Sequence, residues 1–327
     1  MTAVGGPEVL QWQDVPVPDI QHPHELRVAI KAVGVNPVDT KLRKRGTYYS
    51  ERLPAILGCD GAGIVDAVGA QVTRFKVGDA VYFCNGGIGG APGNYAQYCV
   101  LDEHYVARKP ASLDFIHAAA VPLVLLTAWE ALHERAHVRA DDEVLIHAGA
   151  GGVGHIAVQL ARIAGARVCS TVGSQAKADF VQTLGAEHGI LYRQQDFVEE
   201  VAAWSRSGGV NVVFDTVGGT IFPRSFAAAR MYGDVVTLLQ PDSSVDWKVA
   251  RDKNLRVSFE LMLTPMFLGL HAARLQQTKI LEQGAALFDT GQLRVHVSEV
   301  LPLQHAARAH QLIERGSVQG KIVLETG

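Results

Sequence analysis

Four cysteines in 327 residues, Cys59, Cys84, Cys99 and Cys169, are few, and no two of them form a CxxC pair. That spacing encodes neither a zinc lobe nor a disulfide framework, and the expectation is four buried, reduced thiols. There is no basic tract, and the formal net charge of −3 is close to neutral. Neither a nucleic acid nor an anionic membrane is therefore an expected partner. The longest apolar run, Ala118 to Trp129, contains Pro122 and is too short to span a bilayer. Pro7, Glu8 and Asp14 stand where a signal peptide needs an uninterrupted apolar core, so a cytoplasmic address follows by default. Internal repeats and low-complexity stretches are also absent. With 48% hydrophobic and 19% charged residues the composition is that of a soluble globular protein, and the length suggests two domains.

One absence is local and points to chemistry. Between Glu143 and Asp179 there is no acidic residue, and inside that stretch Gly149, Gly151 and Gly154 spell G-x-G-x-x-G, with Gly152 and Val153 filling the motif. The motif follows an apolar run, Glu143 to His147, and precedes a helical pattern, Ile156 to Ile163. Strand, tight glycine turn and helix together form a pyrophosphate cradle, because the helix N-terminus offers free amides and a positive dipole end. A second strand, Arg167 to Val172, then runs into Gly173, Ser174 and Lys177. An NAD enzyme places Asp or Glu there, on the ribose 2′-hydroxyl; a hydroxyl and an ammonium suit a 2′-phosphate instead. The expected cofactor is NADPH.

Around that motif the chain divides by pattern. Its first hundred residues read as β-rich, with Leu26–Val33 alternating and short apolar runs at Gly63–Gly69 and Asp79–Phe83. The glycine-rich segment Asn85–Asn94 reads as a long surface connection. From about Asp114 strands alternate with helices, the mark of a parallel sheet. The strand candidates are Glu143–His147, Arg167–Val172, Gly189–Tyr192, Val210–Asp215, Asp234–Leu239 and Arg256–Leu261. A long helical stretch, Met266–Thr290, and a terminal strand, helix and strand from Leu293 follow. The fold class expected is α/β: a doubly wound Rossmann sheet over residues 114–261, plus a β-rich domain from 1–113 and 262–327.

The motifs Gly5-Gly-Pro-Glu-Val-Leu10, Gly34-Val-Asn-Pro-Val-Asp-Thr40, Gly58-Cys-Asp-Gly-Ala-Gly63, Phe75-Lys-Val-Gly-Asp79 and Leu126-Thr-Ala-Trp129 occur in that order. The glycine turn, Asp215-Thr-Val-Gly-Gly219 and Gly320-Lys-Ile-Val323 follow them. Together they resemble the medium-chain dehydrogenase/reductase superfamily, and most closely its zinc-free quinone oxidoreductase branch, which includes zeta-crystallin. The resemblance covers essentially the whole chain. It implies a GroES-like β-domain beside the Rossmann domain, a homodimer, and a cofactor and substrate meeting in the interdomain cleft. Relatives open with an extra strand before the Gly5–Leu10 segment, where this chain has only Met1 to Val4.

Zinc-dependent relatives place a Cys where this chain has Asn36 or Pro37, and a Gly-His-Glu where it has Gly58-Cys59-Asp60. The four-cysteine lobe after Phe83 is also missing, so no metal is expected. Hydride transfer to a simple carbonyl builds charge on one oxygen and calls for a Lewis acid. An enone or quinone delocalises that charge, and a few hydrogen-bond donors suffice. The expected activity is reduction of a small quinone or α,β-unsaturated carbonyl. The alternatives are an enoyl-thioester reductase of the same fold and an NADPH-binding protein with a structural or regulatory task.

By resemblance, Asn36 and Tyr48 are the polar pair of the nicotinamide pocket, with Tyr49 a rival for the second place. On local grounds alone Asn36 is a turn residue before Pro37. Thr127 would face the nicotinamide ribose or diphosphate. Ser174, Lys177 and Tyr192 would form the 2′-phosphate trio, and Gly173 precedes them. Val217 and Gly218 would approach the adenosine, and Leu238, Leu239 and Phe259 the nicotinamide side. Among the histidines, His133, His137, His155 and His188 show no metal-like spacing beyond the i, i+4 pair His133/His137, for which surface placement is expected.

Overall fold

The computed structural model of the chain describes residues 1–49 and 51–327. Alternation of apolar and polar residues sets the first strand: Leu26, Val28 and Ile30 are buried while their neighbours are half-exposed. In chain order the first elements are β1 (Glu25–Val35), α1 (Pro37–Arg45), β2 (Asp60–Val68), β3 (Ala80–Cys84), β4 (Tyr98–Asp102), β5 (Ala107–Arg108), α2 (Phe115–Ala119) and α3 (Pro122–Trp129). Next come β6 (Glu143–Ile146), α4 (Gly152–Ile163), β7 (Arg167–Val172), α5 (Gln175–Thr183), β8 (His188–Leu191) and α6 (Phe197–Trp204). Then follow β9 (Val210–Asp215), α7 (Ile221–Ala228), β10 (Ala229–Thr237), α8 (Lys248–Asp252) and β11 (Arg256–Phe259). The chain ends with α9 (Thr264–Phe267), α10 (His271–Asp289), β12 (Val297–Pro302), α11 (Ala306–Arg315) and β13 (Lys321–Glu325).

Two compact units result, Met1–Leu126 with Leu263–Gly327, and Thr127–Met262. In the first, β1 pairs with β2 along one edge and shares its other edge between β4 and β13, all antiparallel. Its core gathers Leu26, Val28, Ile30, Val65, Phe83 and Leu324. In the second, six strands run in the order β11-β10-β9-β6-β7-β8 and every pair is parallel. That is a doubly wound Rossmann sheet, whose order reverses between β6 and β9; ligands bind outside the carboxyl ends of such strands. Phe197, Phe222, Phe226 and Val213 fill its core, each stabilising the fold by about 1.5–3 kcal/mol through burial.

Three differences from the sequence reading have physical causes. The division falls at 126/127 rather than 113/114, because α2 packs on the first sheet so closely that a Cβ on Gly34 would lie 2.4 Å from the Ala119 carbonyl oxygen. The helical stretch Met266–Thr290 is two helices, parted at Gly269, whose φ of +65° only glycine adopts freely. Segment Asn85–Asn94 is not a surface connection: Asn85, Ile88 and Asn94 are buried. It lies backbone to backbone on its neighbours, and a Cβ on Gly93 would come within 2.3 Å of the Leu57 carbonyl oxygen. Among the described residues no helix is long and apolar enough to cross a membrane.

Candidate active site

The glycine turn lies between β6 and α4, at the point where the parallel sheet reverses. Its three motif glycines have different reasons to be glycine. A Cβ on Gly149 would meet Ser170 Oγ at 2.0 Å, and one on Gly154 the Ala148 carbonyl oxygen at 2.3 Å. Those two close the turn and seat the helix on the strand. Gly151 has only the Ala148 oxygen near, at 3.2 Å, so its missing side chain leaves room for a ligand's approach. Gly152 and Val153 begin α4 with no acid in the first turn, where an α-helix leaves its N–H groups without intrahelical partners. The chain's cradle fits a dinucleotide pyrophosphate. Beneath it, His147 is buried between Thr171 Oγ1 and Ser225 Oγ, both 3.1 Å away. Burial, the largest cause, drives its pKa down to about 4, so the imidazole is neutral.

At the end of β7, Ser174 caps α5 and accepts the Lys177 N–H at 3.4 Å, with its hydroxyl proton left to donate. Tyr192 is exposed, and its hydroxyl lies 3.2 Å from where a Gly173 Cβ would be. Arg193 adds a cation 5.9 Å from the Tyr192 ring; the sequence reading passed it over because it lies outside any motif. At the end of β9, Asp215 Oδ1 accepts the N–H groups of Val217 and Gly218, each at 2.9 Å, and its Oδ2 accepts the Thr237 hydroxyl at 2.9 Å. Val217 is thereby held outward and exposed. Leu238 and Leu239 follow β10, half-buried, Phe259 closes β11 exposed, and Thr127 is buried in α3.

In the first unit the predicted pair separates into two kinds of residue. Tyr48 is 39% exposed and its ring stacks 4.5 Å from that of Phe267. Burial of its inner part, then Cys59, raises the phenol pKa, so the hydroxyl keeps its proton at neutral pH. Tyr49 instead donates to the Phe267 carbonyl at 3.4 Å and lies under Arg52. Phe267 had no signal in the sequence, since it comes from α9, far along the chain.

Asn36 is 0% exposed. It caps α1, where Pro37 takes the first helical position and the Asp39 carboxylate accepts the Asn36 N–H at 2.8 Å. Its carboxamide donates to Asp60 Oδ2 at 2.8 Å and accepts from Lys321 Nζ. Lys321, also buried, reaches the Val35 carbonyl at 3.1 Å and Asp60 at 3.6 Å. Asp60 Oδ1 accepts the Leu123 N–H at 2.8 Å. Desolvation dominates both ends of this pair, raising the Asp60 pKa and lowering that of Lys321 against their mutual attraction. Beside it, the Tyr95 hydroxyl bridges Asp39 Oδ2 and His310 Nε2 at 3.1 Å each. Burial first of all lifts Asp39 to about 7 and, with Arg43, lowers His310 to about 4.

The polar side chains around Asp60 and Cys59 are committed within the chain, a donor set that does not suit a zinc ion. Asp60 faces an ammonium, Asn36 is committed on both sides, and the buried Cys59 thiol is held protonated by its hydrogen bond with Cys84 and by burial. His133 leans on Trp129, and the ring of His137 meets the His133 backbone carbonyl at 2.9 Å.

A family model described as alcohol dehydrogenase GroES-like domain matches residues 22–111, and one described as zinc-binding dehydrogenase matches residues 184–324. A quinone oxidoreductase of Pseudomonas aeruginosa is 33% identical over 98% of this chain and 97% of its own. A 2-haloacrylate reductase of a Burkholderia species is 33% identical over 98% of this chain and 96% of that one. Escherichia coli quinone oxidoreductase, solved complexed with NADPH, matches with a TM-score of 0.88 at 32% identity over 99% of this chain and 98% of that one. Identity of this order, sustained across both chains on one fold, means that this oxidoreductase belongs to the quinone oxidoreductase branch of the medium-chain dehydrogenase/reductase superfamily.

Proposed function

We propose that the chain reduces quinones or α,β-unsaturated carbonyls with NADPH and without zinc. The observation that carries this reading is the closed Asn36–Asp60–Lys321 network, at positions where the family resemblance would put zinc ligands, with the half-exposed Tyr48 phenol as the polar donor nearby in sequence. A chain without a Lewis acid suits an acceptor that spreads the incoming charge by conjugation. Quinones are such acceptors, and the names of the quinone oxidoreductase and 2-haloacrylate reductase relatives agree with the class. When bound, the nicotinamide cofactor supplies the hydride. Tyr48 donates to the developing oxyanion, and Asn36 acts from beneath by holding the N-terminus of α1. Gly149–Gly154 carry the pyrophosphate; Thr127, Val217, Leu238, Leu239 and Phe259 contact the rest of the dinucleotide.

The decisive experiment is steady-state turnover of Tyr48→Phe with a small quinone and a small enone. We expect kcat to fall about tenfold with the enone, less with the quinone, and the NADPH dissociation constant to stay unchanged. A preorganised donor at a localised oxyanion contributes up to about 3–4 kcal/mol, and conjugation reduces that need. A raised dissociation constant with kcat intact would instead make Tyr48 a cofactor-packing residue.

NADPH preference rests on Ser174, Lys177 and Tyr192 and on the missing acid after β7. Lys177→Ala is expected to weaken NADPH roughly ten- to a hundredfold, about 1.5–3 kcal/mol, and to leave NADH alone. Fluorescence titration with both cofactors measures this, and equal losses would remove Lys177 from the 2′-phosphate site. Prolonged dialysis against EDTA is expected to leave turnover unchanged. Activity lost on chelation and restored by zinc would sink the metal-free assignment.

A further inference from the structure

Sequence spacing hid one cluster of metal-ligating side chains that the fold assembles. In the antiparallel pairing of β1 with β4, Glu25 lies opposite Asp102. His24 and Glu103, the next residues outward, are therefore brought together, and the Glu103 N–H donates to the His24 carbonyl at 2.9 Å. A short helical turn, Glu103–Tyr105, capped by Asp102, then lifts His104 onto the same spot. One donor atom each from His24, Glu103 and His104 lies within 4.8 Å of the others. The two imidazoles stand with ring centroids 5.5 Å apart and their side chains 45% and 38% exposed.

We propose that His24, Glu103 and His104 form a binding site for a borderline divalent cation, Zn²⁺ or a neighbouring transition metal, remote from the Asn36 network and independent of the proposed reaction. Glu103 is a fixed, buried ligand: the backbone N–H groups of Thr73 and Arg74 hold its carboxylate at 2.7–3.2 Å. A carboxylate has about four acceptor positions, so those bonds leave a lone pair of Oε1 for a metal. His24 Nδ1 is already 3.4 Å from that oxygen, about the separation of two donors bonded tetrahedrally to one zinc at ~2.1 Å. His104 Nδ1 lies 2.6 Å from Asp102 Oδ1. With Nδ1–H donated to that carboxylate, Nε2 keeps its lone pair, the carboxylate–histidine–metal arrangement that orients a ligating ring. Two nitrogens and one oxygen select a borderline cation over Mg²⁺ or Ca²⁺, and the exposed side is open to water as a fourth ligand. The Arg74 guanidinium donates to the Glu103 carbonyl at 2.8 Å and to Glu282 at 2.6 Å. Its charge is thus partly offset before it can oppose a cation.

The test is calorimetric titration of the EDTA-treated full chain with Zn²⁺, alongside His24→Ala, His104→Ala and Asp102→Asn. One Zn²⁺ per chain is expected, with binding lost in both alanine variants and weakened about 10–100-fold in Asp102→Asn. Asparagine still caps the turn, so that variant separates metal affinity from folding. Turnover with and without Zn²⁺ should be the same in all four proteins, which distinguishes this site from a catalytic metal. Absence of saturable binding, or binding that persists in both alanine variants, overturns the assignment.

Discussion

Replacing Lys321 by alanine is expected to cost about 3–5 kcal/mol of folding stability at neutral pH, the loss typical when one partner of a buried ion pair is removed. Lys321 Nζ serves Val35, Asn36 and, more distantly, Asp60, and all three lie in the interior. Without it, Asp60 keeps only the Leu123 N–H and the Asn36 carboxamide against full desolvation. Both partners already shift toward their neutral forms, which says that burial outweighs attraction even in the intact pair. Two consequences follow. The deficit of Lys321→Ala should shrink on acidification, as Asp60 takes up a proton. Asp60→Asn/Lys321→Met, which removes both charges, should recover most of the loss. Urea unfolding of the parent and the two variants measures both effects, and a double variant no better than Lys321→Ala would refute the account.

His147 should make the protein acid-sensitive. An imidazole in the unfolded chain takes up its proton near pH 6.5, whereas the buried ring does so only near pH 4. Between those values the unfolded chain holds one proton more, so stability falls as pH falls, by about 1.4 kcal/mol per unit and about 3 kcal/mol in all from this group. His310, also lowered to about 4, acts in the same direction. Asp39, raised to about 7, opposes it, since its folded carboxyl binds a proton that the unfolded one does not. The summed profile therefore does not isolate His147, but a variant does. His147→Gln can still bond Thr171 and Ser225 and cannot titrate. Between pH 7 and pH 4.5 the parent should lose about 2–3 kcal/mol more unfolding free energy than His147→Gln. Parallel losses would show that the ring is not the group that senses acid.

What the sequence alone determined is what local chemistry specifies. The glycine turn is legible because strand, turn and helix are contiguous, and because Gly149 and Gly154 have no room for a side chain. The parallel sheet is legible because each strand–helix unit carries its own apolar pattern, and six strands in succession leave few ways to wind. The missing acid after β7 is equally local, whereas the part Ser174 plays as the cap of α5 came from the structure.

Tertiary structure decided the rest, because the partners are far apart in the chain. Asn36 fits a pocket residue by its motif, yet its burial follows from Lys321, 285 positions away, arriving on β13. Tyr48 has its platform from Phe267, and the glycine segment Asn85–Asn94 is interior because Leu57 and Gly58 lie directly under it. His24 and Glu103 are 79 residues apart and meet only through the register of β1 on β4. Register depends on which hydrophobic face is buried and on every turn between the strands, and no window of sequence contains that information.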